Sequence, residues 1–188
     1  MFSEPSGALS RPHSPFAAEF VRVQSGKKFP FVSVQLRVAL FTGCVMEPVF
    51  GRVNRATLQV LLQNGFDVDV PAAQRCCGAL LVHAGLPDAA RELARANLAA
   101  FAGADVVLNN SAGCGCAMKE YGHLLDTPEG AAFAAKCRDV TEFLAREGLT
   151  ATPRAQPARA AYDDPCHLCH GQGVRQQPRQ LLAQVPGL

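Results

Sequence analysis

No apolar run in the sequence approaches the roughly 20 residues needed to cross a bilayer. The opening stretch, MFSEPSGALSRPHSPF, places Glu4 and prolines where an export signal would carry a basic start and an apolar segment, so no export is expected. Basic residues form no stripe. Net charge is +2, and the one dense arginine region, Arg154 to Arg179, is also proline-rich and reads as a solvated connector, which argues against nucleic acid as a partner. No glycine-rich dinucleotide fingerprint is present, so nothing argues for a flavin on this chain. Charge is scarce as well: 18% charged against 48% hydrophobic residues excludes a disordered chain. The 188 residues suffice for one domain with a real core and at most two.

Against these absences stand eight cysteines. Without export, they point to metal binding or redox chemistry before structural disulfides. Cys166-x-x-Cys169-His170 has the spacing of a c-type haem attachment signature. That attachment normally takes place outside the cytoplasm, which weighs against it here. The same Cys166-x-x-Cys169 spacing suits a thiol–disulfide motif, although its surroundings do not.

Residues 1–35 are rich in Ser, Pro and Gly without clear periodicity, and are expected to form a loose leader. Order starts at 36–41, a short apolar strand ending in Thr42-Gly43-Cys44. A helix follows with Val53, Thr57, Val60 and Leu61 on one face, stopped by Asn64-Gly65. Residues 66–70 alternate as a strand, closed by Pro71. Asp88 is expected to cap a second helix with Ala90, Leu93, Ala94, Leu98 and Phe101 inward. A third strand spans 105–109. A third helix runs from near Cys114 through Met118, Tyr121 and Leu125. Thr127-Pro128 caps a fourth, carrying Phe133, Cys137, Val140 and Leu144 to Gly148. Residues 150–157 read as a linker and Ala158–Asp163 as a fourth strand. This alternation predicts an α/β fold with a parallel sheet flanked by helices. Right-handed crossovers then bring the carboxyl ends of the strands to one edge, where such sheets bind ligands.

Six cysteines fall after those strands: Cys44 after the first, Cys76 and Cys77 after the second, Cys114 and Cys116 after the third, and Cys166 after the fourth. A metal centre needs thiolates close together on rigid elements, and a sheet edge supplies them. Helices starting just after the loops add dipoles worth about 0.3–1 kcal/mol each toward thiolate, less than direct coordination, which deprotonates a thiol outright. Gly43, Gly78, Gly113 and Gly115 accompany the cysteines and would let backbone approach a bulky cofactor. Cys137, on the fourth helix's apolar stripe, reads as core. Cys76 and Cys77 face opposite ways on an extended chain, so both are not core. Four thiolates suit an iron–sulfur cluster or tetrahedral zinc equally well.

Cys44, then 31 residues, then Cys76-Cys77-Gly78, then 35 residues to Cys114, resembles the cysteine-rich CCG module. FTGCV, VNRAT, CCGAL, AGCG with MKEYGHLL, and DPCHL with HGQGVRQQPR are similar to the iron–sulfur subunit of glycolate oxidase. The module also occurs in the B subunit of heterodisulfide reductase, the C subunit of anaerobic glycerol-3-phosphate dehydrogenase and lactate-utilisation proteins. The likeness covers residues 36–188: a complete first module over 36–149 and, over 158–188, the truncated start of a second, led by Cys166. On this resemblance DPCHLCHGQG is the first arm of that second module and not a haem site.

The resemblance implies a cluster of the 4Fe-4S type held by Cys44, Cys76, Cys77 and Cys114, with Cys166 a further candidate through the second module. Many such modules end in CxxC, where this sequence has Cys114-Gly-Cys116-Ala117. Positions two apart on a helix do not share a face, so Cys116 joins Cys114 only if the first turn unwinds. No second CC pair follows Cys166, and the ferredoxin-like CxxCxxCxxxCP runs of relatives are missing. His167 and His170 are expected in the crevice, and His123 at the surface. The implied role is electron transfer, with no substrate-oxidising chemistry on this chain: electrons pass from flavin-binding partner subunits of a glycolate oxidase complex toward a membrane acceptor. The implied location is the cytoplasm, at the inner face of the plasma membrane through that complex. A structural zinc module, a fragment that binds nothing, and a lactate or glycerol-3-phosphate parent are the alternatives.

Overall fold

A computed structural model describes residues 21–23 and 36–188. In chain order the elements are β1 (Val21–Val23), β2 (Val38–Leu40), α1 (Met46–Gln63), β3 (Val68–Val70), α2 (Ala79–His83), α3 (Pro87–Ala100), β4 (Val106–Asn109), α4 (Ala112–Lys119), α5 (Tyr121–Leu125), α6 (Pro128–Lys136), β5 (Cys137–Asp139) and α7 (Val140–Glu147). A π-helical turn, His167–Gly171, and α8 (Gln176–Leu182) follow. Among the described residues the strands form one sheet in the order β1-β3-β2-β4-β5. β2, β3, β4 and β5 run parallel, and β1 joins the edge antiparallel to β3. The expected leader over 1–35 lies outside the described residues except at this edge strand.

Helices cover both faces, which is why β2 is buried at every residue. Alternate side chains of β2 and β4 enter different cores. Ala39, Phe41, Val107 and Cys137 pack against Ala94, Met118, Tyr121, Leu125 and Phe133 from α3 to α6. Val38, Leu40, Val68, Val70 and Leu108 pack against Leu61 of α1 and against Phe143 and Leu144 of α7. From β2 the chain steps through α1 to β3 on one side, then returns through α2 and α3 to β4 on the other. That reversal makes the β2/β4 boundary a topological switch point, with a crevice at the carboxyl ends.

Several expected elements differ. The buried face of α1 is Gly51, Asn54, Thr57 and Leu61, while Val53 and Val60 are exposed. Two of those inward residues are polar and satisfied: Asn110 Nδ2 donates to Asn54 Oδ1 and Thr57 Oγ1. Thr57 and Leu61 are inward as expected, so apolar spacing alone places the face only in part. Asp88 lies in the first turn of α3, behind Leu86 at the cap and Pro87 at the first helical position. The third helix breaks at Glu120 into α4 and α5. The fourth breaks at β5, because Asp139 and Glu142 form a capping box that starts α7. Thr127 caps α6 as expected, accepting from the Gly130 amide at 3.1 Å. Cys137 is buried as expected, in β5 and not on a helix.

Ala158–Asp163 forms no strand; β5 holds the position beside β4 instead. The chain after α7 folds back on the same body. Asn64 Oδ1 accepts from the amides of Thr150 and Ala151, and Leu181 packs against the second core. Arg179 makes a two-pronged ion pair with Asp164 at 2.6 and 3.0 Å. Among the described residues no helix is long and apolar enough to cross a membrane.

Phe133 stands between the Phe101 ring at 6.3 Å and the Tyr121 ring at 5.3 Å, and is 2% exposed. Phe133→Ala is expected to destabilise the fold by about 3–5 kcal/mol, read as a fall in urea midpoint at unchanged m-value.

Candidate metal centre

The four cysteines of the expected set reach the switch-point rim from three strand ends. Gly43, at φ +75°, turns the chain out of β2 so that Cys44 precedes α1. Cys76-Cys77-Gly78 lies between β3 and α2, and Cys114 is the third residue of α4. Gly78 sits at φ +82°, its missing Cβ only 3.3 Å from that of Ala90 in α3. A side chain there would be strained by conformation and crowded by contact. The same residue's amide donates to Cys76 Sγ at 3.5 Å.

Two of the sulfurs are in direct contact, Cys44 Sγ donating to Cys76 Sγ at 3.2 Å, and Cys76 and Cys114 pack in the same apolar cluster as Cys77. Cys44 is exposed, Cys76 and Cys114 are half-buried, and Cys77 is buried. These contacts divide the protons. The Cys77 hydrogen bond, with further donors from the Gly78 amide and Cys44, lowers Cys76 to about 5. Cys114 falls to about 7, chiefly through the bond from Cys77 and then from Ser111. Burial, reinforced by Cys76, pushes Cys44 up to about 11. Cys77 is pushed well up by its bonds to Cys114 and Cys76. Near neutral pH thiolate character therefore concentrates on Cys76, with Cys114 partly ionised, while Cys44 and Cys77 are pushed toward the thiol. The amino ends of α1 and α4 adjoin the same rim and favour its negative charge.

A buried brace fixes the loop from behind. Asn97, fully buried, accepts from the Arg75 amide at 2.8 Å and donates to Cys76 O and to Tyr121 Oη, both at 3.1 Å. Tyr121 Oη donates to Cys77 O at 2.9 Å. Gln74 Oε1 accepts from the Thr42 amide at 2.8 Å, while its Nε2 donates to Pro71 O at 3.0 Å, which ties the Cys44 and Cys76 loops together. Sequence reasoning placed Tyr121 only along the third helix and missed Asn97 and Gln74. A signal for Asn97 existed: it lies on the α3 stripe with Ala90, Ala94 and Phe101, a polar residue at an inward position. Gln74, in an irregular loop, had none.

The remaining candidates lie elsewhere. Cys116 Sγ rests on the π-helical turn, only 2.6 Å from where a Cβ on Gly171 would stand. Gly115 likewise serves packing and not close approach to a cofactor: its missing Cβ would strike Asn109 and Gln172 at 2.5 and 2.7 Å. Gly113 faces open space. Cys166 is exposed at the start of the π-helical turn, with no strand before it, and Cys169 is buried. His167 is exposed and pairs with the His83 ring at 6.5 Å, while His170 Nδ1 lies 3.3 Å from Arg175 Nη2. His123 is at the surface, as expected. Among the described residues no group of three or more His, Cys, Asp or Glu side chains is arranged to hold one metal ion.

The model of the CCG cysteine-rich domain matches residues 38–119, a span that contains Cys44, Cys76, Cys77 and Cys114. The chain is 41% identical over 160 residues to the probable glycolate oxidase iron-sulfur subunit of Bacillus subtilis, covering 80% of this chain and 36% of that protein. It is 37% identical over 156 residues to the B subunit of the fumarate reductase (CoM/CoB) of Methanothermobacter marburgensis, covering 81% and 30%. Lactate utilization protein A of Bacillus velezensis is 31% identical over 159 residues, covering 81% and 67%. The chain thus spans about a third of the length of the first two relatives. No solved structure matches it significantly. From the β2 strand to the end of α4, the chain belongs to the CCG cysteine-rich domain family.

Proposed function

We propose that this chain is the cysteine-rich, cluster-carrying part of an iron–sulfur electron-transfer subunit in a glycolate-oxidising complex. The observation that carries the reading is that the loops bearing Cys44, Cys76, Cys77 and Cys114 follow three strand ends of one sheet, with Cys44 and Cys76 in direct sulfur contact and Cys76, Cys77 and Cys114 in one packed cluster. The donor set fits an iron–sulfur group: four sulfurs, with the Gly78 amide turned toward Cys76. When bound, such a cluster supplies a carrier of single electrons. The protein's part is to hold the sulfurs, release the protons of Cys44 and Cys77 on coordination, and keep the rim open on the Cys44 side. A lone zinc ion held by the same cysteines is the competing centre, since four thiolates suit tetrahedral zinc as well.

The glycolate parent rests on the identity to the Bacillus subtilis protein and on the wording of the motifs. A flavin-bearing partner subunit, a membrane acceptor reached through the complex, and a cytoplasmic location belong to the same proposal. So does the role of residues 158–188 as the opening arm of a second module. A lactate- or fumarate-linked parent is the competing assignment, and expression beside candidate partner subunits separates them by which substrate reduces the assembled complex.

Anaerobic reconstitution of the chain with iron and sulfide tests the centre. The expected product is brown and carries both elements. Cys44→Ser, Cys76→Ser, Cys77→Ser and Cys114→Ser each lose most of the bound iron, whereas Cys116→Ser and Cys166→Ser keep it. A folded, colourless product without iron, or one carrying stoichiometric zinc, overturns the reading.

The proton distribution has its own test in the metal-free chain. Alkylation of Cys76 should reach half its limiting rate near pH 5, and that of Cys44 only near pH 11, followed by peptide mass spectrometry. Both thiols gain reactivity as pH rises, because only the thiolate attacks. Removing the brace should loosen the same loop: Tyr121→Phe leaves Cys77 O without its donor and is expected to cost about 1–3 kcal/mol of stability, read by urea denaturation.

A further inference from the structure

We propose that Cys44 and Cys76 are a reversible oxidation site, forming a disulfide in the metal-free chain that withholds the rim from iron until it is reduced. The effect on loading rests on the iron–sulfur reading above; the disulfide itself rests on geometry. The two sulfurs are 3.2 Å apart, with Cys44 as donor and Cys76 as acceptor. A disulfide of about 2.05 Å requires them to close by roughly 1 Å. The Cys44 side can move by that much. Cys44 lies between Gly43 and a first helical turn that lacks a side-chain cap, and α1 departs from helical geometry at Phe50 (φ −122°, ψ 28°). The piece from Cys44 to Val49 is thus separated from the long part of the helix.

Other pairings are disfavoured. Cys77 is 4% exposed, and its sequence neighbour is Cys76. Cys116 is packed on Gly171, and Cys137 and Cys169 are buried. Cys44 alone of the four rim cysteines is exposed, so an oxidant entering from solvent meets the Cys44–Cys76 pair first.

The oxidant is a hydroperoxide. The Cys76 sulfur attacks one peroxide oxygen; an S–O bond forms, the O–O bond breaks, and hydroxide leaves to become water. The Cys44 sulfur, giving up its proton, then attacks the Cys76 sulfenic sulfur. The S–S bond forms, the S–O bond breaks, and a second water leaves. Two thiols are oxidised, one hydrogen peroxide is reduced to two waters, and a dithiol reductant reverses the change. Because the bond consumes two of the four rim sulfurs, coordination cannot proceed while it stands. The same bond keeps both sulfurs from the irreversible sulfinic and sulfonic states.

The test uses the metal-free full chain with one equivalent of hydrogen peroxide, then blocking of free thiols and peptide mapping without reduction. A linked peptide pair containing Cys44 and Cys76 is expected, lost on treatment with dithiothreitol. In Cys44→Ser the pair cannot form, and dimedone should trap Cys76 as its sulfenic acid. The oxidised chain should take up at least ten-fold less iron and sulfide than the reduced chain, and recover after reduction. A dominant Cys77–Cys114 link, unmodified thiols at both positions, or equal loading of oxidised and reduced chains overturns the proposal. Mapping needs no iron, so it decides the disulfide even where reconstitution fails.

Discussion

The parallel alignment of β2, β3 and β4 is the constraint from which the rest follows. Parallel strands joined by right-handed crossovers must end on one edge, and three of those ends carry the cysteines. Sequence separations of more than 30 residues between Cys44 and Cys76, and between Cys77 and Cys114, are therefore small distances in space. The switch point between β2 and β4 adds the second requirement. Helices leave the central strands in opposite directions there, so no helix covers the gap where the sulfurs meet. The rim is anchored by β2 and β4, which contribute to the cores on both faces of the sheet.

Gathering four sulfurs has an electrostatic cost, since four thiolates at contact distance repel one another. The pKa shifts oppose that repulsion: Cys44, which donates to Cys76, and Cys77 are pushed up, while Cys76 and Cys114 are lowered. Each thiolate is stabilised by a neighbouring thiol and a nearby donor, the Gly78 amide or the Ser111 side chain. Asn97 and Tyr121 make that arrangement specific. Their bonds to the carbonyls of Cys76 and Cys77 hold the loop backbone in one conformation, so the side chains on either side of it keep their directions. The brace comes from α3 and α5, elements that carry no cysteine. The positions of the thiols are thus coupled to the core on that face of the sheet.

What was legible in the sequence follows from what periodicity records. The parallel sheet, its helical cover and the placing of Cys44, Cys76, Cys77 and Cys114 at strand ends were legible, since short apolar runs alternated with helical stripes. Cys137 was read correctly as core, but in the wrong element. Its helix is interrupted by the three-residue strand β5, too short for a period of two to show, and only the Asp139-to-Glu142 capping box marks the restart. The face of α1 was read in part: Thr57 and Leu61 are inward as expected, but Asn54 and Gly51 take the other inward positions in place of Val53 and Val60, and Asn54's partner Asn110 is distant in sequence. Ala158–Asp163 looked like a strand by composition, yet the place beside β4 was taken by β5. Neither hydrogen-bond partnership nor competition for a sheet edge leaves a local trace.

The position of Cys116 then acquires a physical account. On α4 it lies two residues beyond Cys114 and so faces away from the rim, toward the returning segment. Close approach of that segment is made possible by two glycines. Gly115 leaves room for Asn109 and Gln172, and Gly171 leaves room for the Cys116 sulfur itself. Gln172 completes the contact by donating to Ala112 O at 2.9 Å. Cys116 is therefore a packing residue on the outer side of the helix that bears a rim cysteine. The glycines around it serve the joint between α4 and the π-helical turn, where spacing alone suggested a cofactor. Two cysteines a residue apart on one helix thus serve different surfaces, one turned to the switch point and one to the chain that folds back beside it.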